Sequence, residues 1–203
     1  TLVVTGEMHD TVDFGGGPLT SAGGTVVFVV AFAPDGSVVW QRRFGGSKED
    51  GGPVMDVTPS GHLFVGGIFQ AKLDTGAGVL PNSGGYADLF LIELDGAGNT
   101  VQARALGSQA TSVGISDLAA TADGGLVITG NLGRLDFGDG TVLISDNGPF
   151  PGGPVDAYVA KLDAHLDRVW DRQLGNADND FSSGIEIDPA GDVVMGVLST
   201  SDT

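Results

Sequence analysis

The sequence predicts an all-β fold built from four-stranded antiparallel sheets, because two kinds of segment recur along the chain in a fixed order. One reads FVVAFAPDGSVVWQRRFGG from Phe28, FLIELDGAGNTVQARALGS from Phe90 and YVAKLDAHLDRVWDRQLGN from Tyr158. The other reads MDVTPSGHLFVGG from Met55, LAATADGGLVITG from Leu118 and IEIDPAGDVVMGV from Ile185. A repeat of about 62 to 68 residues indicates a propeller or a solenoid.

Each complete repeat predicts four strands in sequence. In the second repeat they lie near 54–58, 62–67, 88–94 and 100–106. Apolar residues alternate in the third strand, where Phe90, Ile92 and Leu94 share one side, and this period of two is typical of a strand. Tight turns such as Pro59-Ser60-Gly61 join the strands, so we expect an antiparallel meander.

A four-stranded meander that repeats around an axis is a propeller blade. The chain holds the last three strands of one blade (1–46), two complete blades (54–107 and 117–175) and the first two strands of a fourth (184–203). We therefore expect one partial β-propeller spanning 1–203, cut from a longer ring, because joining these ends would duplicate one strand type.

Three stretches resemble a known family: VDAYVAKLDAHLDRVWDRQLG from Val155, IEIDPAGD from Ile185 and TVDFGGG from Thr11. They are similar to the bacterial seven-bladed beta-propeller repeat (SBBP repeat) family. The resemblance covers nearly the whole chain and implies a propeller scaffold without a common catalytic motif. It also implies an extracellular or cell-surface setting in bacteria.

Composition narrows the choice of partners. The net charge of −17, with nine Lys and Arg, repels phosphate backbones and anionic lipid surfaces, so nucleic acid is not an expected partner. There is no Cys for a disulfide or a thiolate site. The longest apolar run, 26–33, is far shorter than the roughly 20 residues of a membrane-spanning helix, so membrane insertion is not expected.

Loop lengths suggest which end of the sheets binds a partner. Long connections at 8–24, 69–85 and 132–153, together with the links 47–53, 109–116 and 176–183, share one end, whereas the tight turns share the other. Binding residues are concentrated on long loops over a rigid scaffold.

The leading hypothesis is a non-catalytic scaffold that binds a protein or glycan through these long loops. The alternatives are a hydrolase or lyase with an acidic site at the channel mouth, and a structural spacer that binds calcium diffusely.

The links carry the only hint of a metal, and no other cofactor is expected. Asp178, Asn179 and Asp180 follow Gly175, and Glu49 and Asp50 take the matching place after Gly45. Oxygen donors of this kind suit calcium, which takes six to eight of them. The matching place in the other copy holds Thr111-Ser112 and no acid.

Residues shared by all copies are expected to build the sheets. Arg42, Arg104 and Arg172 occupy one position of the fourth strand, and Trp40 and Trp170 lie two residues earlier. In the long loops, Asp13-Phe14-Gly15 recurs as Asp74-Thr75-Gly76 and Asp136-Phe137-Gly138, a pattern typical of an Asx turn.

Overall fold

The computed structural model describes residues 1–107, 113–146 and 153–200, and these residues form strands without any helix. Consequently, no helix in this part of the chain could cross a bilayer. Four sheets, numbered I to IV, follow one another along the sequence. Sheet I contains β1 (Leu2–Met8), β4 (Val26–Phe32) and β5 (Val38–Phe44); sheet II contains β6 (Asp50–Val57), β7 (Leu63–Phe69), β10 (Asp88–Leu94) and β11 (Thr100–Leu106); sheet III contains β12 (Val113–Ala120), β13 (Leu126–Leu132), β16 (Asp156–Leu162) and β17 (Arg168–Leu174); and sheet IV contains β18 (Asp180–Ile187) and β19 (Val193–Ser199).

Every pairing within these sheets is antiparallel, and neighbouring strands follow one another along the chain. The expected numbers of three, four, four and two strands are therefore present. The first strands begin earlier than the sequence suggests, at Asp50, Val113 and Asp180 instead of 54, 117 and 184. Each of these strands contains a β-bulge, which accommodates extra residues and hides the alternating pattern at its start.

The tight turns hold the strand pairs in register through a backbone bond from the fourth turn residue to the first. Gly98 N–H donates to Asp95 O in sheet II, and Leu166 N–H donates to Asp163 O at the same place in sheet III. This position has φ near +76° at Gly98 and +62° at Leu166. Leu166 tolerates that conformation while its side chain is buried between sheets II and III.

The core lies between the faces of successive sheets. Val27 and Val29 of β4 pack in one cluster with Phe90 and Ile92 of β10, and Leu91 packs on the opposite side of β10 in the cluster shared with sheet III. A smaller cluster joins sheets III and IV. The third strands of sheets II and III, β10 and β16, are thus buried on both faces, as expected for a sheet enclosed between two others.

The first strands of successive sheets lie side by side: β6 is next to β12, and β12 is next to β18. Together they line an open groove of about 340 Å³. The sheets at the two ends of the stack present outward apolar side chains, including Leu2 and Val4 of β1 and Val194 and Leu198 of β19.

Candidate functional site: the long-loop face

We call the end of the sheets that carries the second-to-third-strand connections and the links between sheets the long-loop face. The connections are more ordered than the sequence suggests, because each one contains a short β-hairpin. These hairpins pair β2 (Thr11–Asp13) with β3 (Pro18–Thr20), β8 (Leu73–Asp74) with β9 (Val79–Leu80), and β14 (Arg134–Asp136) with β15 (Val142–Ile144). Residues 147–152 of the third connection and 109–112 of the second link, including Thr111 and Ser112, lie outside the described residues.

The recurring Asp-x-Gly pattern forms the turns of these hairpins, which confirms the predicted Asx turns. Gly15, Gly76 and Gly138 each donate N–H to the Asp two residues earlier, at 2.8, 2.9 and 2.9 Å. The aromatic residues of the pattern pack against the sheets: Phe137 is buried, and Phe14 is half-buried with its ring centroid 4.6 Å from that of Phe28. These three Asp residues therefore shape the scaffold.

Two of the hairpins also tie successive sheets together. Asp74 forms a β-bridge with Gly45 at the end of sheet I, and Asp136 forms one with Gly107 at the end of sheet II. Leu73 and Leu135 of the same hairpins are fully buried. The hairpins are thus fixed structural parts, and a ligand on this face would meet only their outer side chains.

The outer side chains of the long connections include several large apolar residues. Tyr86 is the most exposed, with 70% of its surface accessible, and Val79, Val142 and Ile144 are exposed as well. Tyr86 comes two residues before β10, where the matching positions in sheets I and III hold Gly24 and Pro154. It is therefore a feature of one copy and not of the repeat.

Acidic side chains are buried where a link enters the next sheet. Asp50, the first residue of β6, accepts N–H from Gly46 at 2.6 Å and from Gln70 at 3.4 Å. Burial raises the pKa of the Asp50 carboxyl, and the neighbouring charge of Glu49 adds to this effect, while the two amide bonds oppose it. Asp50 therefore holds the 46–50 turn closed at a cost in desolvation.

Asp180 takes the corresponding place at the start of β18 and accepts N–H from Asn176 at 2.8 Å. Its own N–H donates to Val155 O at 2.8 Å, which places it beside Asp156 at the start of β16. Burial raises the pKa of Asp156, and the charges of Asp146 and Asp180 raise it further, against hydrogen bonds from Gln173 and the Asp146 N–H.

The remaining residues of the predicted metal site lie at the surface. Glu49 is exposed and accepts N–H from Thr25 at 3.3 Å; Asp178 is exposed, and Asn179 accepts N–H from Val155 at 3.1 Å. The two predicted groups belong to different sheet junctions. Within 1–107, 113–146 and 153–200, no three His, Asp or Glu side chains form a ready-made metal-binding group.

Arg42, Arg104 and Trp40 connect their sheets to the next one, in agreement with the structural role that the repeat predicts. Arg104 of sheet II donates to Leu166 O and Phe137 O of sheet III, each at 2.8 Å, and pairs with Asp167. Arg42 donates to Ala97 O at 3.3 Å, and Trp40 Nε1–H donates to Gly96 O at 3.1 Å. These side chains bind the tight turn of the following sheet.

The groove along the first strands is lined by carboxylates that brace the scaffold. Asp56 of β6 accepts N–H from Ala120 of β12 at 2.7 Å, and Asp117 accepts N–H from Ile185 of β18 at 3.0 Å. Asp56 and Asp117 therefore connect adjacent first strands across the sheet junctions.

His62 lies at a tight turn, with Nδ1 2.6 Å from Glu93 Oε1.

Comparison with protein-family models and with curated proteins finds no match for this chain. The functional residues must accordingly be argued from the geometry alone. Sequence reasoning overlooked Asp146, Asp156 and Tyr86. Aligning the starts of the third strands would have revealed Asp156, because Val26, Asp88 and Asp156 occupy one position.

Proposed function

We propose that this chain is part of a β-propeller that serves as a non-catalytic extracellular or cell-surface scaffold in a bacterium and binds a protein or glycan through its long-loop face. The propeller form is supported by the stacking of sheets I to IV and by the first strands, which lie side by side along one groove. Innermost strands meet in this way around the channel of a propeller.

The binding role depends chiefly on one observation, the exposed side chain of Tyr86. A Tyr presents a rigid apolar ring and a hydroxyl group, which suits it both to stack on a sugar and to anchor a protein interface. Tyr86 extends from a connection whose hairpin is fixed by buried Leu73, so the ring is presented on a rigid base. Tyr86 occurs in one copy of the repeat only, so it is not one of the residues that every sheet needs in order to fold.

A glycan array and a panel of purified cell-surface proteins, both probed with the soluble chain, test this proposal. We expect saturable binding to one of them, and an at least tenfold loss of affinity in Tyr86→Ala, since truncating a Tyr anchor costs about 2 kcal/mol. Val57→Ala is the matched control, because Val57 is exposed at the end of β6, next to the tight turn that begins at Thr58. Equal affinities of Tyr86→Ala and the wild type would refute the assignment, and absence of binding to both panels would favour the structural alternative.

A further inference from the structure

At the junction between sheets III and IV, both of two matched positions hold an acid, whereas the corresponding positions of the other two junctions hold one acid and one Val. At the first and last junctions, the first residue of a third strand lies beside the first residue of the next sheet, because Asp50 N–H donates to Thr25 O and Asp180 N–H donates to Val155 O. One acid and one Val meet at the first junction, Val26 with Asp50, whereas two acids meet at the last, Asp156 with Asp180. The matching residues of the second junction are Asp88 and Val113, again one acid and one Val. One acid is therefore enough for the fold at this place, and the last junction has a second one.

The two acids of the last junction are buried with unsatisfied oxygens. Asp156 is 1% exposed and Asp180 is 0% exposed, yet Oδ1 of each accepts no hydrogen bond from the described residues. Asp88, the counterpart of Asp156, receives Ser83 Oγ–H on its Oδ1 at 2.7 Å. A buried charged oxygen without a partner is costly, so some other group must compensate for it.

A third carboxylate replaces the missing hydroxyl donor. Asp146 N–H donates to Asp156 Oδ2 at 3.1 Å, as Ser83 N–H does to Asp88, but Asp146 brings a negative charge where Ser83 brings an O–H. None of the ion pairs among the described residues includes Asp146, Asp156 or Asp180. The local negative charge is thus not balanced by Lys or Arg.

The junction also has space beside these carboxylates. A cavity of about 300 Å³ is lined by Asp180, Asn176 and Ser199, among others. Gly175 also lines this cavity, and Asp156 Oδ1 lies 2.7 Å from the point where a Cβ of Gly175 would stand. Asp180 therefore borders a space that can hold an ion and its water molecules, and Asp156 lies against Gly175 at the same space.

We propose that Asp156 and Asp180, with Asp146 as a third ligand, bind a divalent cation of the calcium type between sheets III and IV. Calcium prefers carboxylate oxygens and completes a coordination shell of six to eight with carbonyl groups and water. The three carboxylates do not yet form a metal-binding group, because the Asp146 side chain is exposed. Its own N–H already donates to Asp156, so binding of the ion requires the Asp146 carboxylate to rotate toward Asp156. Such an ion satisfies both free oxygens and ties sheet IV to sheet III. This inference is independent of the proposed function.

Calorimetric titration of the full chain with calcium chloride, together with melting curves, tests the site. We expect one saturable site per chain, with Kd on the order of 10⁻⁴–10⁻³ M as in extracellular calcium modules, and a saturable rise in Tm. Asp156→Val reproduces the Val26 arrangement and Asp146→Ser reproduces Ser83. Both variants are therefore compatible with the fold, and each should lose at least tenfold in calcium affinity.

Asp10→Asn is the control: it removes the same charge from an exposed residue that is distant in sequence from the junction, and it should leave the calcium affinity unchanged. If Asp10→Asn and Asp156→Val lower the calcium affinity equally, the binding is diffuse and the site is overturned. A titration curve that never saturates has the same meaning. A wild type that does not bind calcium but gains stability as pH falls from 7 to 5 would also overturn it, because a proton on Asp156, whose pKa is raised by burial, would then satisfy the free oxygen. Asp146→Ser provides a second check, since its new hydroxyl can donate to Asp156 and should raise stability without calcium.

Discussion

Single side chains at repeated positions carry much of the contact between sheets. Arg104 bonds two carbonyl groups of sheet III, and Trp40 bonds one of sheet II, so both belong to the interior of the stack. Arg172 occupies the same position in sheet III, but it is exposed and donates to the backbone oxygen of the neighbouring Asp171. The repeat thus supplies its own comparison between a side chain that bridges two sheets and one that does not.

Arg104→Ala should destabilise the protein by about 1–3 kcal/mol, because it leaves Leu166 O and Phe137 O without their donor. Arg172→Ala removes the same side chain from an exposed site and should change stability by less than about 0.5 kcal/mol. Urea denaturation of the two purified variants measures both values. Equal losses in the two variants would mean that the bonds from Arg104 add nothing.

At the scale of elements, the tight turns between third and fourth strands combine a local constraint with a contact between sheets. Gly36 and Gly98 occupy one position in successive turns, with φ of +84° and +76°. A Cβ at residue 36 would meet nothing within 4 Å, whereas one at residue 98 would lie 2.6 Å from the Trp40 ring. The sequence predicts the turn from its Gly, but the ring against Gly98 comes from another sheet.

Gly36→Ala should cost about 1–2 kcal/mol through its left-handed backbone alone. Gly98→Ala should cost about 1–3 kcal/mol more, because its methyl group must displace the buried Trp40 ring. Thermal denaturation gives the difference, and the fluorescence of Trp40 should change only in Gly98→Ala. A difference near zero between the two variants would contradict the packing of sheet I against this turn.

At the scale of the whole molecule, the stack of four sheets leaves an apolar surface on sheet IV. β19 pairs only with β18 among the described residues, and Phe181 and Leu198, which face each other across these strands, are 41% and 61% exposed. An open strand edge beside exposed apolar side chains favours pairing with another chain. The net charge of −17 opposes that association.

The chain should therefore self-associate at high concentration, and more strongly at high salt, which screens the repulsion between its acidic surfaces. Replacing Phe181 with Ser and Leu198 with Lys should weaken that association. Val169→Ser, at an exposed apolar residue of β17, is the control and should leave it unchanged. Sedimentation velocity measures each case; equal association of the double variant and the wild type would place the contact elsewhere.

The sequence by itself determined the strand order, the tight turns and the Asx turns, because all of these depend on residues close together in the chain. It placed the starts of the first strands late, since a β-bulge breaks the alternation from which a strand is recognised. It also grouped Asp178, Asn179 and Asp180 as neighbours, although only Asp180 is buried. Only the tertiary structure joined Asp180 to Asp156 and Asp146, because these carboxylates come from separate strands and a loop, and their proximity arises when sheet IV packs on sheet III.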